Sequence, residues 1–259
     1  MKVVVLGSGS EGNAILVTHG KTVVLVDAGF SGSIIEERAR RAGFSLFDVT
    51  AVLLTHEHSD HVRGAGVIAR RFNLPVFATE GTFRSGRVKL GSIRDQQLLE
   101  GGKALSIQDL WIHPFSVSHD AEDPVGFVID DGKSKLGICT DSGCITQLMR
   151  YRLQGCDALI LESNHDPNML LAGSYPWELK QRIRSRIGHL SNDDAGTLCE
   201  DIWHAGLRHI FLAHLSKENN LPDLARMAVQ DALYNAGCRN GETRVHVVSQ
   251  TENSEVITI

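Results

Sequence analysis

Short apolar runs that end in a histidine, an aspartate or a glycine recur along this chain. Met1 to Gly7 reads as a strand running into a glycine turn. Asn13–Thr18 and Thr22–Val26 are two β-branched runs about His19-Gly20-Lys21, a hairpin. Ser31 or Ser33 caps a helix carrying Ile34, Ile35 and Ala39 that ends near Gly43. Ala51–Leu54 predicts a buried strand, Val62–Arg71 a helix and Pro75–Ala78 another strand. Between Thr79 and Gln97 lie Arg84, Arg87, Lys89 and Arg94 with few large apolar residues, so this stretch reads as a mobile surface segment. Leu98 to Val117 offers more strand. Val125–Ile129 and Lys135–Cys139 form a hairpin about Asp130-Asp131-Gly132, followed by a helix over Ile145–Gln154 and a strand over Ala158–Leu161. Tyr175–Ile187 reads as a helix on which Arg182 and Arg186 share a face. Ser191 with Asp194 resembles a capping box for a helix ending near Gly206. His209–His214 is a strand, Pro222–Ala236 a helix, and Val245–Val248 and Glu255–Ile259 are strands. With no repeat and no linker, residues 1–259 read as one domain of two pseudo-symmetric β-rich halves.

Composition narrows the function classes. The chain has 259 residues and a net charge of -5, which argues against a nucleic-acid coat or a polybasic membrane anchor. No apolar run approaches the ~20 residues that span a bilayer, and the first residues read as structure, not as a signal peptide. Five cysteines without CxxC spacing read as reduced, mostly structural thiols of a cytoplasmic protein. Gly7-Ser8-Gly9-Ser10-Glu11-Gly12 matches a dinucleotide fingerprint, but a strand follows where that fingerprint needs a helix. The glycines instead make a turn between strands whose amides can line a phosphate pocket.

The chemistry concentrates in Thr55-His56-Glu57-His58-Ser59-Asp60-His61, where a strand stops and a helix starts. On extended backbone His56 and His58 point the same way and can share one metal. Asp60 and His61 fall where the chain turns, aimed at a second point nearby. Imidazoles with a carboxylate form a ligand set for zinc, manganese or iron.

Taken in order, Asp27, His56-x-His58-x-Asp60-His61, His119, Asp141 and His214 resemble the motif series of the metallo-β-lactamase fold. Within that superfamily the chain resembles the YycJ/WalJ-like group, through Gly7-Ser8-Gly9-Ser10, Glu162-Ser163-Asn164-His165-Asp166, Gly188-His189-Leu190-Ser191-Asn192 and His214-Leu215-Ser216-Lys217-Glu218-Asn219-Asn220. The resemblance implies an α/β four-layer αββα sandwich with the site along one edge of two sheets. It also implies two divalent metal ions, zinc by default with manganese or iron as alternatives. His56, His58 and His119 would hold the first, Asp60, His61 and His214 the second, with Asp141 bridging. Asp27 would orient ligands by hydrogen bonding.

The implied activity is phosphodiester hydrolysis, specifically 5′-to-3′ exonuclease action on double-stranded DNA, with Asp60 and His189 catalytic. His165, Ser10, Asn13 and Arg186 are the expected substrate contacts. A small-molecule or cyclic-phosphate phosphodiesterase is the nearest rival, and thioester, lactone and β-lactam hydrolysis use the same fold. A non-catalytic protein stabilised by metal is the rival of another class.

Overall fold

Residue alternation along the strands decides the architecture. Val3, Val5, Ile15 and Val17 point to one side of their sheet, while Val4, Leu6, Ala14 and Leu16 point to the other, and all are buried. A sheet apolar on both faces needs cover on both faces. The computed structural model describes residues 1–239 and 241–259 and shows how that cover is supplied.

The first sheet takes β1 (Lys2–Gly7), β2 (Ala14–His19), β3 (Thr22–Val26), β4 (Ala51–Leu53), β5 (Val76–Thr79) and β6 (Gln96–Leu99). The second takes β7 (Leu105–Ile107), β8 (Leu110–Ser116), β9 (Val125–Asp130), β10 (Lys135–Cys139), β11 (Ala158–Glu162), β12 (His209–Ala213) and β13 (Arg244–Val247). Finally β14 (Ile257–Thr258) returns to pair with β1. Spatial order follows chain order: β14-β1-β2-β3-β4-β5-β6 in one sheet and β13-β12-β11-β10-β9-β8-β7 in the other. Each half opens with antiparallel strands and closes with parallel ones.

Helices α1 (Gly32–Arg41), α2 (Ser59–Val62), α3 (Ala65–Phe72) and α4 (Glu80–Leu90) accompany the first half. α5 (Gln147–Leu153), α6 (Pro167–Ala172), α7 (Trp177–Ile183), α8 (Asn192–Ile202) and α9 (Pro222–Asn235) accompany the second. Three apolar clusters hold the layers. One lies between the sheets and joins Val5 and Ile15 to Phe127 and Phe211. One packs Ile35, Ile68 and Phe83 onto the first sheet, and one packs Met149, Leu198 and Val229 onto the second. Each buried side chain of this size contributes roughly 1.5–3 kcal/mol of transfer free energy. The result is the αββα sandwich. Among the described residues, no helix is long and apolar enough to cross a membrane.

Several local expectations are corrected. The stretch 79–97, expected as a mobile surface segment, forms α4 and the start of β6, with the Thr79 hydroxyl accepting from the Thr82 amide as cap. Its glycines permit close approach: a Cβ on Gly81 would lie 2.6 Å from the Asp123 side chain and one on Gly86 would lie 3.3 Å from that of Glu57. The helix expected over 62–71 is two helices, because Gly64 donates to the Ala28 carbonyl and a Cβ there would meet the Phe30 carbonyl at 2.2 Å. The cap of α1 is Ser31. The strand expected over 98–117 is interrupted, with β7 and β8 turning about Gln108 at φ 49°. The helix expected over 175–187 is shortened to α7, which stops at Ile183. The turn that follows folds back so that the His189 amide donates to the Ile183 carbonyl, and Arg186 lies in that turn, off the helix. Ser191 and Asp194 do form a reciprocal capping box, and α8 ends at Ile202.

Candidate metal centre

The sheets deliver chemistry at their strand ends. Asp27 follows β3, His56 to His61 follow β4, His119 follows β8, Asp141 follows β10, Glu162 ends β11 and His214 follows β12. Two of these residues, Asp27 and His214, have left-handed backbone, with φ of 58° and 55°. Such conformations cost on the order of 1–3 kcal/mol and persist only where surrounding structure enforces them.

Each imidazole has one nitrogen committed to a protein partner and the other directed into the cleft. His61 Nδ1 donates to Asp27 Oδ2 at 2.7 Å, which leaves Nε2 facing Asp60 and Asp141. Thr55 Oγ1 donates to the Asp27 carboxylate and lies 3.0 Å from His56 Nδ1, from which it accepts. His119 Nδ1 donates to the Gly188 carbonyl and His58 Nε2 to the Asp120 carbonyl. His214 Nδ1 lies 2.9 Å from Glu162 Oε1. These bonds set which nitrogen is free before any ligand arrives, the usual arrangement around metal-binding histidines.

The free atoms converge. His56, His58 and His119 form one cluster and Asp60, His61 and His214 another, the ligand atoms of each within 4.8 Å of one another. Asp141 joins them: its Oδ2 lies 3.1 Å from His61 Nε2, and its Oδ1 lies 3.9 Å from His119 Nε2. His56 Nε2, His214 Nε2, Asp141 Oδ2 and Asp120 Oδ1 are buried without a hydrogen-bond partner among the described residues. Orphaned polar atoms of this kind are rare in folded proteins and costly. Two of the four belong to the clusters and a third, Asp141 Oδ2, lies on the carboxylate that joins them, so the donor set fits cations.

Charge agrees with geometry. Burial, and then His61 beside it, hold the His56 imidazole far below its ordinary value, so it is neutral and able to coordinate. Burial opposes ionisation of Asp141 and Asp60, yet neighbouring His214 and His61 keep both carboxyls well below the usual range. Asp27, Asp60, Asp141 and Glu162 surround two imidazoles, an excess of negative charge that suits a cation.

Glu162, Thr55 and Asp120 are the site residues that sequence reasoning left without a role. Glu162 is fully buried: Oε1 accepts from His189 Nδ1 at 2.7 Å as well as from His214, and Oε2 accepts from the Ser142 and Leu190 amides. Its signal was a carboxylate closing an apolar run. Asp141, Glu162, His189 and His214 also form a compact group, but Nδ1 of both histidines is already spent on Glu162.

The expected substrate contacts disperse. Asn13 is buried beside the second cluster, its Nδ2 3.1 Å from His61 Nε2 and its Oδ1 accepting from Ser8. Ser10 is exposed on the glycine turn. His165 is buried outside both clusters, Nδ1 unpartnered, and burial lowers its pKa to about 4. Arg186 is exposed, and its carbonyl accepts from Ser118.

Residues 7–142, more than half of the chain, match the family model described as "Metallo-beta-lactamase superfamily". The chain belongs to the metallo-β-lactamase superfamily. Within it, the chain is 40% identical over 240 residues to "Exodeoxyribonuclease YycJ" of Bacillus anthracis, covering 92% of this chain and 91% of that protein. It is 37% identical over 239 residues to "Exodeoxyribonuclease WalJ" of Streptococcus pneumoniae serotype 2, covering 91% and 89%. The crystal structure of the metallo-β-lactamase fold protein YhfI from Bacillus subtilis superposes with a TM-score of 0.75 at 18% identity, covering 98% and 99%, a likeness of fold. The family model stops at Ser142, so Glu162, His189 and His214 belong to the half that the relatives cover and the family model does not. As a member of this metallo-β-lactamase superfamily the protein is a hydrolase.

Proposed function

We propose that this protein is a metal-dependent phosphodiesterase acting on nucleic acid, with double-stranded DNA cleaved from the 5′ end as its leading substrate. The observation that carries the reading is two preset donor clusters joined by Asp141 beside a histidine, His189, whose second ring nitrogen has no partner among the described residues. Relatives named exodeoxyribonucleases over nine-tenths of the chain support DNA as the substrate.

His56, His58 and His119 would hold one divalent ion and Asp60, His61 and His214 a second, with Asp141 shared and Asp27 orienting both sets through Thr55 and His61. Zinc suits the histidines, and manganese or iron suit the added carboxylates. Bound ions of this kind supply Lewis acidity, lowering the pKa of water from ~15.7 towards ~7 and offsetting charge on phosphate oxygens. The protein supplies orientation and protons. Asp60, kept ionised by its neighbours, accepts a hydrogen bond from the attacking water and aligns it. His189 donates Nδ1–H to Glu162 and presents Nε2 to the cleft. Burial opposes its protonation, but the Glu162 charge raises its pKa above the ordinary value. Nε2 then carries a proton for the departing oxygen.

The test is turnover of bis(p-nitrophenyl) phosphate and end-labelled duplex DNA by metal-loaded protein, with single strands and cyclic nucleotides as comparisons. His58→Ala is expected to abolish turnover with loss of metal. His189→Ala is expected to lower kcat about 10²–10⁴-fold with metal content kept. A metal-replete protein inert towards every phosphodiester would refute the reading.

A further inference from the structure

The rim of the first cluster carries a cation fixed in place by a side chain that also borders the imidazoles. Asp120 follows His119 directly. Its backbone carbonyl accepts from His58 Nε2 at 3.2 Å, and its Oδ1 lies 3.4 Å from His119 Nε2. Its other oxygen, Oδ2, takes both Nε and Nη2 of Arg182, at 2.6 and 2.5 Å. So one carboxylate separates the Arg182 guanidinium from two donors of the first cluster.

The two partners of this ion pair differ in exposure. The Asp120 side chain is 20% exposed and lies against the first cluster, whereas Arg182 is 57% exposed. An exposed ion pair of this kind adds little stability. Rigidity is what it adds: two guanidinium nitrogens are held on one oxygen, and the Nη1 edge has no partner among the described residues. A guanidinium presents several donors in a planar fork that matches phosphate. Neighbouring Arg184 and Arg186 lie on the exposed turn that follows, and among the described residues neither shows such an anchor.

We infer that Arg182, positioned by Asp120, binds a phosphate flanking the scissile one and so makes the site favour a nucleic-acid strand over an isolated phosphodiester. The inference deepens the function proposed above and rests on it. A diester with no further phosphate gains nothing from this cation. A strand does, because its charges repeat at every nucleotide and each one neutralised by a protein cation releases condensed counterions.

The experiment compares wild type, Arg182→Ala, Arg182→Lys and Asp120→Asn, each metal-loaded, on a short labelled duplex and on bis(p-nitrophenyl) phosphate. In Arg182→Ala the loss of kcat/KM on duplex should exceed the loss on the small diester by about tenfold, mostly through KM. The slope of log KM against log salt should fall by about one. Arg182→Lys should restore the slope and only part of the affinity. Asp120→Asn should raise KM for duplex with metal content unchanged by elemental analysis. Equal losses on both substrates, or an unaltered salt slope in Arg182→Ala, would overturn the inference. So would loss of metal in Asp120→Asn, which would make Asp120 part of the cation site. Wild-type protein that cleaves neither substrate overturns the phosphodiesterase reading, and this inference with it.

Discussion

Glu162 Oε1 serves two imidazoles at once, His214 of the second cluster and His189 outside it. Changing it to glutamine keeps the shape and removes the charge. The His189 pKa stands above its ordinary value because Glu162 outweighs burial, so without that charge it should fall. On the mechanism proposed above a protonated His189 is needed, so activity should decline as pH rises through its pKa. Glu162→Gln should therefore move the alkaline limb of the kcat profile to lower pH as well as lowering its height. A pH–rate profile on bis(p-nitrophenyl) phosphate checks this, and an unmoved limb would remove Glu162 from the proton pathway. Asp27 does for the histidine loop what Glu162 does across the cleft, joining Thr55, His56 and His61 to one buried carboxylate. Asp27→Ala should weaken metal binding about 10–100-fold in chelator competition.

At the scale of elements, the proposed ligands depend on loops wedged against one another. Gly29 donates to the Asn13 carbonyl and the Asn13 amide to the Asp60 carbonyl, while a Cβ on Gly29 would sit 1.6 Å from that same Asp60 carbonyl. Gly29→Ala should therefore cost roughly 1–3 kcal/mol of stability in urea denaturation and displace Asp60, with loss of turnover. Much of this level was legible. Strands showed as β-branched runs, and the proposed ligands stood out because histidine and aspartate rarely end so many apolar runs without a use. The rest was hidden for physical reasons. Residues 79–97 carry several arginines and few large apolar residues, and the Asp123 and Glu57 side chains that Gly81 and Gly86 approach are distant in sequence, so α4 did not show. Arg182 and Arg186 share a helical face only while the helix lasts, and it stops at Ile183. Thr55 and Asp120 are ordinary residues beside ligands. Their roles depend on which ring nitrogen each histidine turns outward, and spacing says nothing about that.

Across the whole molecule, the two sheets bring together residues from Asp27 to His214, and among the described residues His56 Nε2, His214 Nε2 and Asp141 Oδ2 are left buried without a hydrogen-bond partner. Cations should therefore act as structural ties as well as reagents. A ligand present at about 1,000 times its Kd stabilises the folded state by about 4.1 kcal/mol, so stripping metal should lower Tm on the order of 10 °C for a chain of this size. Calorimetry with and without chelator, followed by readdition of zinc or manganese, checks the size and reversibility of the drop. A Tm indifferent to chelation would leave the clusters without resident ions. The left-handed corners at Asp27 and His214 bear on anyone who breeds this scaffold for heat resistance. Glycine relaxes such a corner at no steric expense, so a screen scored only on survival at high temperature would be drawn to those two positions. It would then enrich sturdy proteins that had discarded one residue from each half of the proposed reaction centre.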